Sequence, residues 1–388
     1  MEAGLSSLGP LAGVRVVELA GFLSAPFATM MLADLGADVV KVETPKGDPF
    51  RRFGRSTFPA SPMFVNANHG KRSVVLDLKQ EDGKRAVRAL LARTDVMVSN
   101  WRPAVAPRLG LDDEQLAEAN PDLIRVYLSG FGESGPLSRT PTYDSVIQAH
   151  LGSVSDAEPD APPVIASTYV VDKTAATMVC QAVLAALFAR ERGAGGQRID
   201  ISLLDAAAYV NFPDLAANRT FVDHGGIKAV NRHAGATRAI RASDGWIVVV
   251  PVTADQIRRA FATVGAPEIA EDLLKIRDAA ALATRMFDAL EERTRSRRVN
   301  EWIEAFIAAD VPAGACLTLD EHLDDPQVLH NMTYGIAEWS ELGRVRYANY
   351  PARFSSWGDL RATVPARPPA LGEHTREILA EIAEVPAE

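Results

Sequence analysis

The N-terminal part of the chain alternates short apolar runs with a segment of helical length. Residues 14–19 and 38–43 have the composition of buried strands, and residues 27–35, which end before Gly36, have that of a helix. A strand, a helix and a second strand in this order form a unit whose two strands are parallel. The pattern therefore restricts this part of the chain to a parallel sheet covered by helices.

The same alternation continues along the chain. It predicts strands at residues 73–78, 95–99 and 123–128 and a helix at residues 81–91. Such a succession predicts an α/β fold with a doubly wound, Rossmann-like sheet, and ligands bound beyond the carboxyl ends of its strands. The turn after the first strand lacks the G-x-G-x-x-G pattern, so it is not a dinucleotide fingerprint.

Past about residue 220 the pattern changes. Residues 239–250 predict a hairpin around an Asp244-Gly245 turn, followed by helical patterns at residues 255–264, 279–291 and 297–309. We interpret residues 221–324 as a small α+β domain. Residues 1–220 and 325–388 then form one large domain.

Composition excludes several classes of protein. A net charge of −9 argues against nucleic-acid binding, and two cysteines are too few for a disulfide framework, which favours a reducing cytoplasm. No Cys or His spacing indicates a metal site. The N-terminus does not have the pattern of a signal peptide, and the most apolar segment, which ends at Ala189, is judged too short and too interrupted to span a membrane.

The most informative stretch surrounds Asp172, which follows Val170 and Val171 and precedes an alanine-rich helical segment. One interpretation is structural: Asp172 is the N-cap of that helix, an interaction worth about 1 kcal/mol. The other is chemical, because a carboxylate kept ionised by the helix start is able to act as a nucleophile and form a covalent acyl intermediate. The two interpretations are compatible, and the residues themselves leave both open.

Motifs along the chain resemble one enzyme family, the class III coenzyme A transferases. This family includes formyl-CoA and carnitine-type CoA transferases and is related to the α-methylacyl-CoA racemases. Its central block is similar to Asp172-Lys173-Thr174-Ala175 followed by the Gly193–Ala206 segment. Similar motifs occur in the family's order over nearly the whole chain, at residues 13–19, 37–43, 71–78, 99–103, 129–137 and 371–375.

The resemblance implies a function and a set of site residues. It implies transfer of CoA from an acyl-CoA to a free carboxylic acid, with Asp172 as the nucleophile that forms a mixed anhydride and then an enzyme–CoA thioester. Coenzyme A is then a substrate, and no cofactor is expected. The family's CoA contacts match Phe22, Leu23, Ser24, Leu76, Asn100, Trp101 and Arg108. The family also implies an interlocked homodimer with the active site at the interface.

Tyr143 separates the branches of this family, and we count it with Asp172 as a candidate catalytic residue. The racemases carry a histidine at this position, whereas the transferases commonly carry tyrosine. A phenol of pKa near 10 is not a base at neutral pH. The neighbouring His150 is interpreted as an ordinary helix residue. Two alternatives stay open: an acyl-CoA racemase or isomerase in which Asp172 transfers a proton, and a non-catalytic acyl-CoA-binding protein.

Overall fold

The computed structural model describes residues 9–54, 60–102, 105–152, 162–215, 219–223, 237–357, 360 and 363–383. The chain divides into two compact units. The first is drawn from Met1–Val154, Val164–Asn211 and Leu329–Glu388, and the second from Ser155–Pro163 and Phe212–Val328. The domain boundaries inferred from the sequence, after residues 220 and 324, stay a prediction.

The first unit is built on a six-stranded parallel sheet. Its strands are β1 Arg15–Leu19, β2 Asp38–Glu43, β3 Lys71–Val75, β4 Val96–Ser99, β5 Ile124–Ser129 and β6 Arg198–Ser202. They lie in the order β3-β2-β1-β4-β5-β6, and every neighbouring pair is parallel. This order reverses direction at β1, as in a doubly wound sheet. The predicted α/β fold is confirmed, whereas β6 was not predicted.

Helices cover both faces of this sheet. They are α1 Ser24–Asp34, α2 Pro62–Asn68, α3 Glu81–Leu91, α4 Val105–Arg108, α5 Asp113–Ala119, α6 Asp144–His150, α7 Val170–Glu191 and α8 Leu203–Leu215. Val16 packs into one core with α1 and α7, while the next residue, Val17, packs into a second core with α3. Successive residues of a strand point to opposite faces, so burial of both shows that the sheet lies between two layers.

Helix α7 corrects two expectations from the sequence. It begins at Val170 with Tyr169 as its N-cap, so Asp172 lies inside the first turn and is not the N-cap. At 22 residues, the helix is also long and apolar enough to cross a membrane by length and composition, so the argument that it is too short was wrong. Its buried residues include Val179 and Val183, which belong to the core of the first unit. Packing of this kind is typical of a core helix.

The C-terminal part of the first unit returns to the edge strand β3. Its elements are the antiparallel pair β10 Tyr334–Trp339 and β11 Gly343–Ala348, and α15 Thr375–Ala383. Helix α14 Pro326–His330 spans the point in the sequence where the second unit ends and the first resumes. The Ser73 N–H donates to His374 Nδ1 at 3.2 Å, and the His374 N–H donates to the Ser73 carbonyl at 3.0 Å. The Val75 N–H donates to Thr375 Oγ1 at 3.0 Å. The backbone edge of β3 is therefore paired by residues from the end of the chain.

The second unit combines a small antiparallel sheet with helices. Its strands are β7 Ile240–Arg241, β8 Trp246–Val249 and β9 Ala313–Ala315, and its helices are α9 Ala254–Thr263, α10 Pro267–Leu273, α11 Ala279–Thr294, α12 Val299–Ala308 and α13 Leu319–Leu323. The predicted hairpin is confirmed: the Ala242 N–H donates to the Gly245 carbonyl at 3.0 Å. Phe261, Phe287 and Phe306 are buried in a core of its own.

Candidate active site

A cavity of about 480 Å³ opens at the carboxyl ends of the parallel strands. Its walls come from the segments that follow β1 to β5 and from the starts of α7 and α8. Most candidate residues inferred from the sequence line it, and these are Phe22, Leu23, Ser24, Leu76, Asn100, Trp101, Tyr143 and Asp172. A sheet of this topology places its ligand site at this edge, because the connections diverge there.

Arg108 is the candidate residue that does not line this cavity. It is the last residue of α4 and is exposed. The cation in the cavity wall is Arg102, which the sequence analysis did not single out. Among the described residues, no carboxylate forms a salt bridge with Arg102, so its guanidinium is available to a ligand. Pro103, which belongs to the same motif, lies outside the described residues.

The segment after β1 carries three of the candidate lining residues, Phe22, Leu23 and Ser24, and is tightly fixed. The side chain of Asn100 makes two hydrogen bonds with the backbone of Gly21. The Gly21 N–H donates to Asn100 Oδ1 at 3.2 Å, and the Gly21 carbonyl accepts from Asn100 Nδ2 at 2.7 Å. Asn100 therefore positions the loop from the carboxyl end of β4. Phe22 has a left-handed backbone with φ 64°. Its ring meets the ring of Tyr143 edge-on, with 5.4 Å between centroids.

Asp172 faces the cavity from the first turn of α7, among groups that disfavour its charge. Burial and the neighbouring carboxylate of Asp144 raise the pKa of Asp172 to about 6, although a hydrogen bond from the Ser24 hydroxyl opposes this. The sequence analysis expected the helix start to keep Asp172 ionised. Loss of water and a like charge outweigh that effect, and the carboxylate is ionised in most molecules only above about pH 6.

Asp144 connects α6 to the start of α7. Its side chain is 1% exposed, and its Oδ2 accepts from the Asp172 N–H at 2.9 Å. Its Oδ1 accepts from Gln148 Nε2, and Gln148 Oε1 accepts from the Ala166 N–H at 2.9 Å. The sequence analysis missed Asp144, because its contact with Asp172 joins residues that are 28 positions apart.

Tyr143 and His150 lie at opposite ends of α6. Tyr143 is the N-cap of this helix, and its ring, at 63% exposed, stands in the cavity wall. His150 is exposed, and its ring contacts that of Phe131 at 5.2 Å. His150 does not line the cavity, which agrees with its interpretation as an ordinary helix residue.

Beneath the loop after β1 lies a buried network of charges. Lys41 and Lys71, on β2 and β3, each contact Glu18 on β1, and Lys41 Nζ also lies 2.8 Å from Asp48 Oδ2. These four side chains are fully or almost fully buried. Glu18, Lys41 and Lys71 lie in motifs at residues 13–19, 37–43 and 71–78, but their association was not predicted from the sequence. The available signal was a charged residue within or at the start of each of three apolar strands, at Glu18, Lys41 and Lys71.

Metal and thiol chemistry find little support in the part of the chain that the structure describes. Within it, no group of three or more His, Cys, Asp or Glu side chains is placed to hold a metal ion. Cys180 and Cys316 are both free thiols. Burial and Asp34 raise the pKa of Cys180 to about 11, so this thiol is protonated and unreactive at neutral pH.

Comparison with known proteins agrees with this site. CoA-transferase family III matches residues 11–375 of the chain. The chain is 32% identical over 388 residues to the succinate–glutarate CoA-transferase of Agrobacterium fabrum, covering 96% of each protein. It is 31% identical over 358 residues to the acetyl-CoA:oxalate CoA-transferase of Acetobacter aceti, covering 90% of each.

A solved structure has the same fold. The crystal structure of a CAIB/BAIF family protein from Brucella suis matches with a TM-score of 0.81 and 31% identity, covering 97% of this chain and 100% of that one. The protein is therefore an enzyme of the CoA-transferase class. It belongs to CoA-transferase family III, which confirms the family suggested by the motifs.

Proposed function

We propose that this enzyme moves CoA from an acyl-CoA to a free carboxylic acid, with Asp172 as the nucleophile. The observation that carries the proposal is the position of Asp172, in the first turn of α7 and in the wall of the cavity at the carboxyl ends of the strands. The similarity to transferases that are named for succinate, glutarate and oxalate supports carboxylic acids as substrates.

The reaction begins when a carboxylate oxygen of Asp172 attacks the thioester carbon of the donor. The carbon–sulfur bond breaks, which leaves a mixed anhydride and the CoA thiolate. The thiolate then attacks Cγ of Asp172, releases the donor as a carboxylate and forms an enzyme–CoA thioester. The acceptor carboxylate attacks that thioester and regenerates a mixed anhydride and the thiolate. Attack of the thiolate on the acceptor's acyl carbon yields the new acyl-CoA and restores Asp172.

The environment of Asp172 suits this sequence of steps. Its raised pKa makes the carboxylate a better nucleophile than an exposed aspartate, while it stays mostly ionised above about pH 6. Each intermediate is an activated acyl group, so the exchange needs no external source of energy. The anhydrides hydrolyse in water, and therefore the cavity must exclude it.

The start of α1 supports a role in stabilising oxyanions. Ser24 begins this helix and lines the cavity, and no side chain of a described residue caps the helix. Backbone N–H groups at a helix start carry partial positive charge, so they stabilise negative charge that develops nearby. Ser24 and Asp172 line the same cavity, and the Ser24 side chain lowers the pKa of the Asp172 carboxyl group, so this helix start lies near the reacting carboxylate.

Coenzyme A is proposed to bind along the loop after β1 and the wall formed by β3 and β4. Leu76 and Trp101 provide apolar surface for the pantetheine or adenine. Arg102 is placed to bind phosphate from the cavity wall, and a guanidinium does so with paired hydrogen bonds. A contact between CoA and Arg108 stays a proposal that rests on the family resemblance.

A homodimer is proposed as the active assembly. Apolar side chains are exposed along α7 and α8, namely Leu184, Phe188, Tyr209 and Val210. Exposed apolar side chains of this size favour a protein partner over water where they lie together, and the family resemblance makes a second, interlocked copy of the chain the expected partner. The racemase alternative is less favoured, because no described residue that lines the cavity is a histidine able to pair with Asp172.

The test is to incubate the purified enzyme with a panel of acyl-CoA donors and isotopically labelled acids, and to follow new thioesters by mass spectrometry. The proposal expects a labelled acyl-CoA, and hydroxylamine added during turnover should modify Asp172. An adduct on another carboxylate, or thioesters formed without any adduct, would contradict the mechanism. Inversion at the α-carbon without transfer would instead support a racemase, and binding without reaction would support the non-catalytic alternative.

A further inference from the structure

One residue in the loop of residues 21–24, Phe22, has a backbone conformation that L-residues seldom adopt. Phe22 has φ 64°, in the left-handed region where a bulky side chain crowds the backbone. Such a residue persists only where its surroundings compensate for the conformational cost. The contacts of this loop therefore show which groups hold it.

Asp48 holds Phe22 directly. Its Oδ1 accepts hydrogen bonds from the Phe22 N–H at 3.1 Å and from the Phe50 N–H at 2.8 Å. The side chain is 5% exposed. Water therefore has little access to replace these two hydrogen bonds, and the conformation of Phe22 depends on the position of this carboxylate.

Asp48 is in turn fixed by the buried charges below it. Lys41 Nζ lies 2.8 Å from Asp48 Oδ2 and also contacts Glu18. The Asp48 N–H donates to Glu43 Oε2 at 2.9 Å. One oxygen of Asp48 thus faces the loop and the other faces Lys41. The carboxylate cannot turn away from Phe22 without breaking a buried ion pair.

The loop that Asp48 holds forms two walls of the site. The ring of Phe22 lies edge-on to the rings of Phe50, at 5.7 Å, and of Tyr143, at 5.4 Å. Two residues further on, Ser24 begins α1 and lines the same cavity as Asp172, and its side chain lowers the pKa of that carboxyl group. A change in the backbone at Phe22 would therefore move both the aromatic wall and the Ser24 side chain relative to the nucleophile.

We propose that Asp48 is a positioning residue of the transfer reaction, which holds Phe22 in its left-handed conformation through the buried Lys41 and so fixes the loop of residues 21–24 against Asp172. This inference rests on the function proposed above for Asp172. Asp48 touches no reacting atom in this account and acts through the loop.

The test compares Asp48→Asn with Asp38→Asn. Whichever way the new amide turns, it presents N–H donors either to Lys41 or to the N–H groups of Phe22 and Phe50, so one contact is lost. Asp38 makes the matched control, because it pairs with Arg72 at the opposite end of β2. Asp48→Asn should lower kcat/KM for acyl-CoA on the order of tenfold or more, since small misplacements of reacting groups are costly. Asp38→Asn should stay within about twofold.

Two further measurements separate positioning from general destabilisation. Hydrogen exchange of the Phe22 amide should be faster in Asp48→Asn than in Asp38→Asn, and CoA binding measured by calorimetry should be weaker. Both readouts are independent of which residue is the nucleophile, so they test Asp48 even if Asp172→Asn retains transfer and the proposed function fails. Unchanged exchange and unchanged affinity in a folded Asp48→Asn protein would overturn the inference.

A double variant covers the case in which Asp48→Asn does not fold. Glycine adopts a positive φ without strain, so Phe22→Gly removes the conformational cost that Asp48 is proposed to offset. The pair Phe22→Gly/Asp48→Asn should therefore recover folding and raise the thermal midpoint above that of Asp48→Asn. A double variant that is no more stable than the single one, or that also fails to fold, would refute the role of Asp48.

Discussion

Two regions of the first unit bury carboxylates, and their surroundings have opposite effects. Burial raises the pKa of Glu18, but the ammonium groups of Lys41 and Lys71 outweigh it and lower the pKa to about 2. At Asp172, burial and the charge of Asp144 raise the pKa to about 6, and the Ser24 hydroxyl opposes them only in part. We call Glu18 a compensated carboxylate, because neighbouring cations balance its charge. We call Asp172 an uncompensated carboxylate, because its surroundings disfavour its charge.

The difference indicates what each region is for. The oxygens of Glu18 are occupied by two lysines and by the Thr29 hydroxyl, so this side chain cannot react and contributes to the structure. Asp172 keeps an electron-rich oxygen towards the cavity, and its charge costs stability in the folded protein. Sites that perform chemistry often contain groups with shifted pKa values of this kind. The comparison can be tested by removing each charge in turn.

The largest expected effect is the loss of activity in Asp172→Asn. An amide keeps the shape of the side chain but is not a nucleophile, so transfer should fall by roughly three orders of magnitude or more. Activity is measured as formation of the labelled acyl-CoA. Asp205→Asn is the matched control, because Asp205 also lies at a helix start but bonds to Ser202. Near-normal transfer by Asp172→Asn would show that the uncompensated carboxylate is not the nucleophile.

The second largest effect is the destabilisation of Glu18→Gln. This change leaves Lys41 and Lys71 without the carboxylate that they share, and breaking a buried ion pair typically costs about 3–5 kcal/mol of unfolding free energy. Urea titration measures the loss. Asp82→Asn provides the control, since its pair with Arg85 is exposed and should contribute less than about 1 kcal/mol. Equal effects of the two changes would mean that the buried network is not structural.

Asp172→Asn, in contrast to Glu18→Gln, should stabilise the folded protein at neutral pH. The carboxyl group of Asp172 has a pKa of about 6 in the folded protein and 3.8 in an unperturbed aspartate, so the folded state binds its proton more tightly. Stability from this group is therefore present at low pH and is lost as the pH rises between these values. At pH 7.5 the variant should be more stable than wild type by about 1–3 kcal/mol. Urea titrations should find that most of this gain disappears by about pH 4, and a variant that is less stable at pH 7.5 would contradict the comparison.

The pH dependence of transfer should follow the same group. Protonated Asp172 is not a nucleophile, so the rate should rise with pH and reach its half-maximum near pH 6, where Asp172 ionises. Asp144→Asn removes a like charge and should move this midpoint to lower pH, by about one pH unit or less. Initial rates from pH 4.5 to 8.5 measure both midpoints. An unchanged midpoint in a folded, active Asp144→Asn enzyme would show that Asp144 does not control the ionisation of Asp172.

The smallest effect concerns the basic side chains. Lys41 and Lys71 form ion pairs with the buried carboxylate of Glu18. Arg102 lies in the cavity wall and has no carboxylate partner among the described residues. Arg102→Ala should weaken CoA binding by about 1–2 kcal/mol, because an exposed guanidinium contributes less than a buried one. Arg108→Ala is the natural comparison, and calorimetry with CoA and dephospho-CoA distinguishes the phosphates. A greater loss of CoA affinity in Arg108→Ala than in Arg102→Ala would indicate that Arg108, as the resemblance implies, makes the phosphate contact.

Local patterns predicted the secondary structure well where burial is regular. Strand β2 and helix α3 have the bounds that the periodicity predicted, residues 38–43 and 81–91. Strand β6 was missed because the other strands were recognised as apolar runs, whereas β6, at an edge of the sheet, alternates exposed Arg198 and Asp200 with Ile199 and Ile201. The start of α7 was misplaced because Val170 and Val171 are β-branched residues, which favour strands.

The site was only partly predictable for a different reason. Asp172 and the loop after β1 are identified by motifs, but the shifted pKa of Asp172 depends on Asp144, which only the folded chain brings close. The buried network also depends on register: Glu18 on β1 lies directly beside Lys41 on β2. A sequence shows which charges are present in strands. It does not show which of them become neighbours.

The return of the C-terminal segment to β3 has a consequence for synthesis on the ribosome. An exposed strand edge is a template for pairing with other chains. Among the described residues, those near His374 pair with the edge of β3 at Ser73 and Val75, so about 300 residues must be translated before this partner exists. At ordinary translation rates this takes roughly 15–60 s. During that interval the edge lacks its native partner, and we expect the nascent chain to be more prone to pair with other chains than the finished protein.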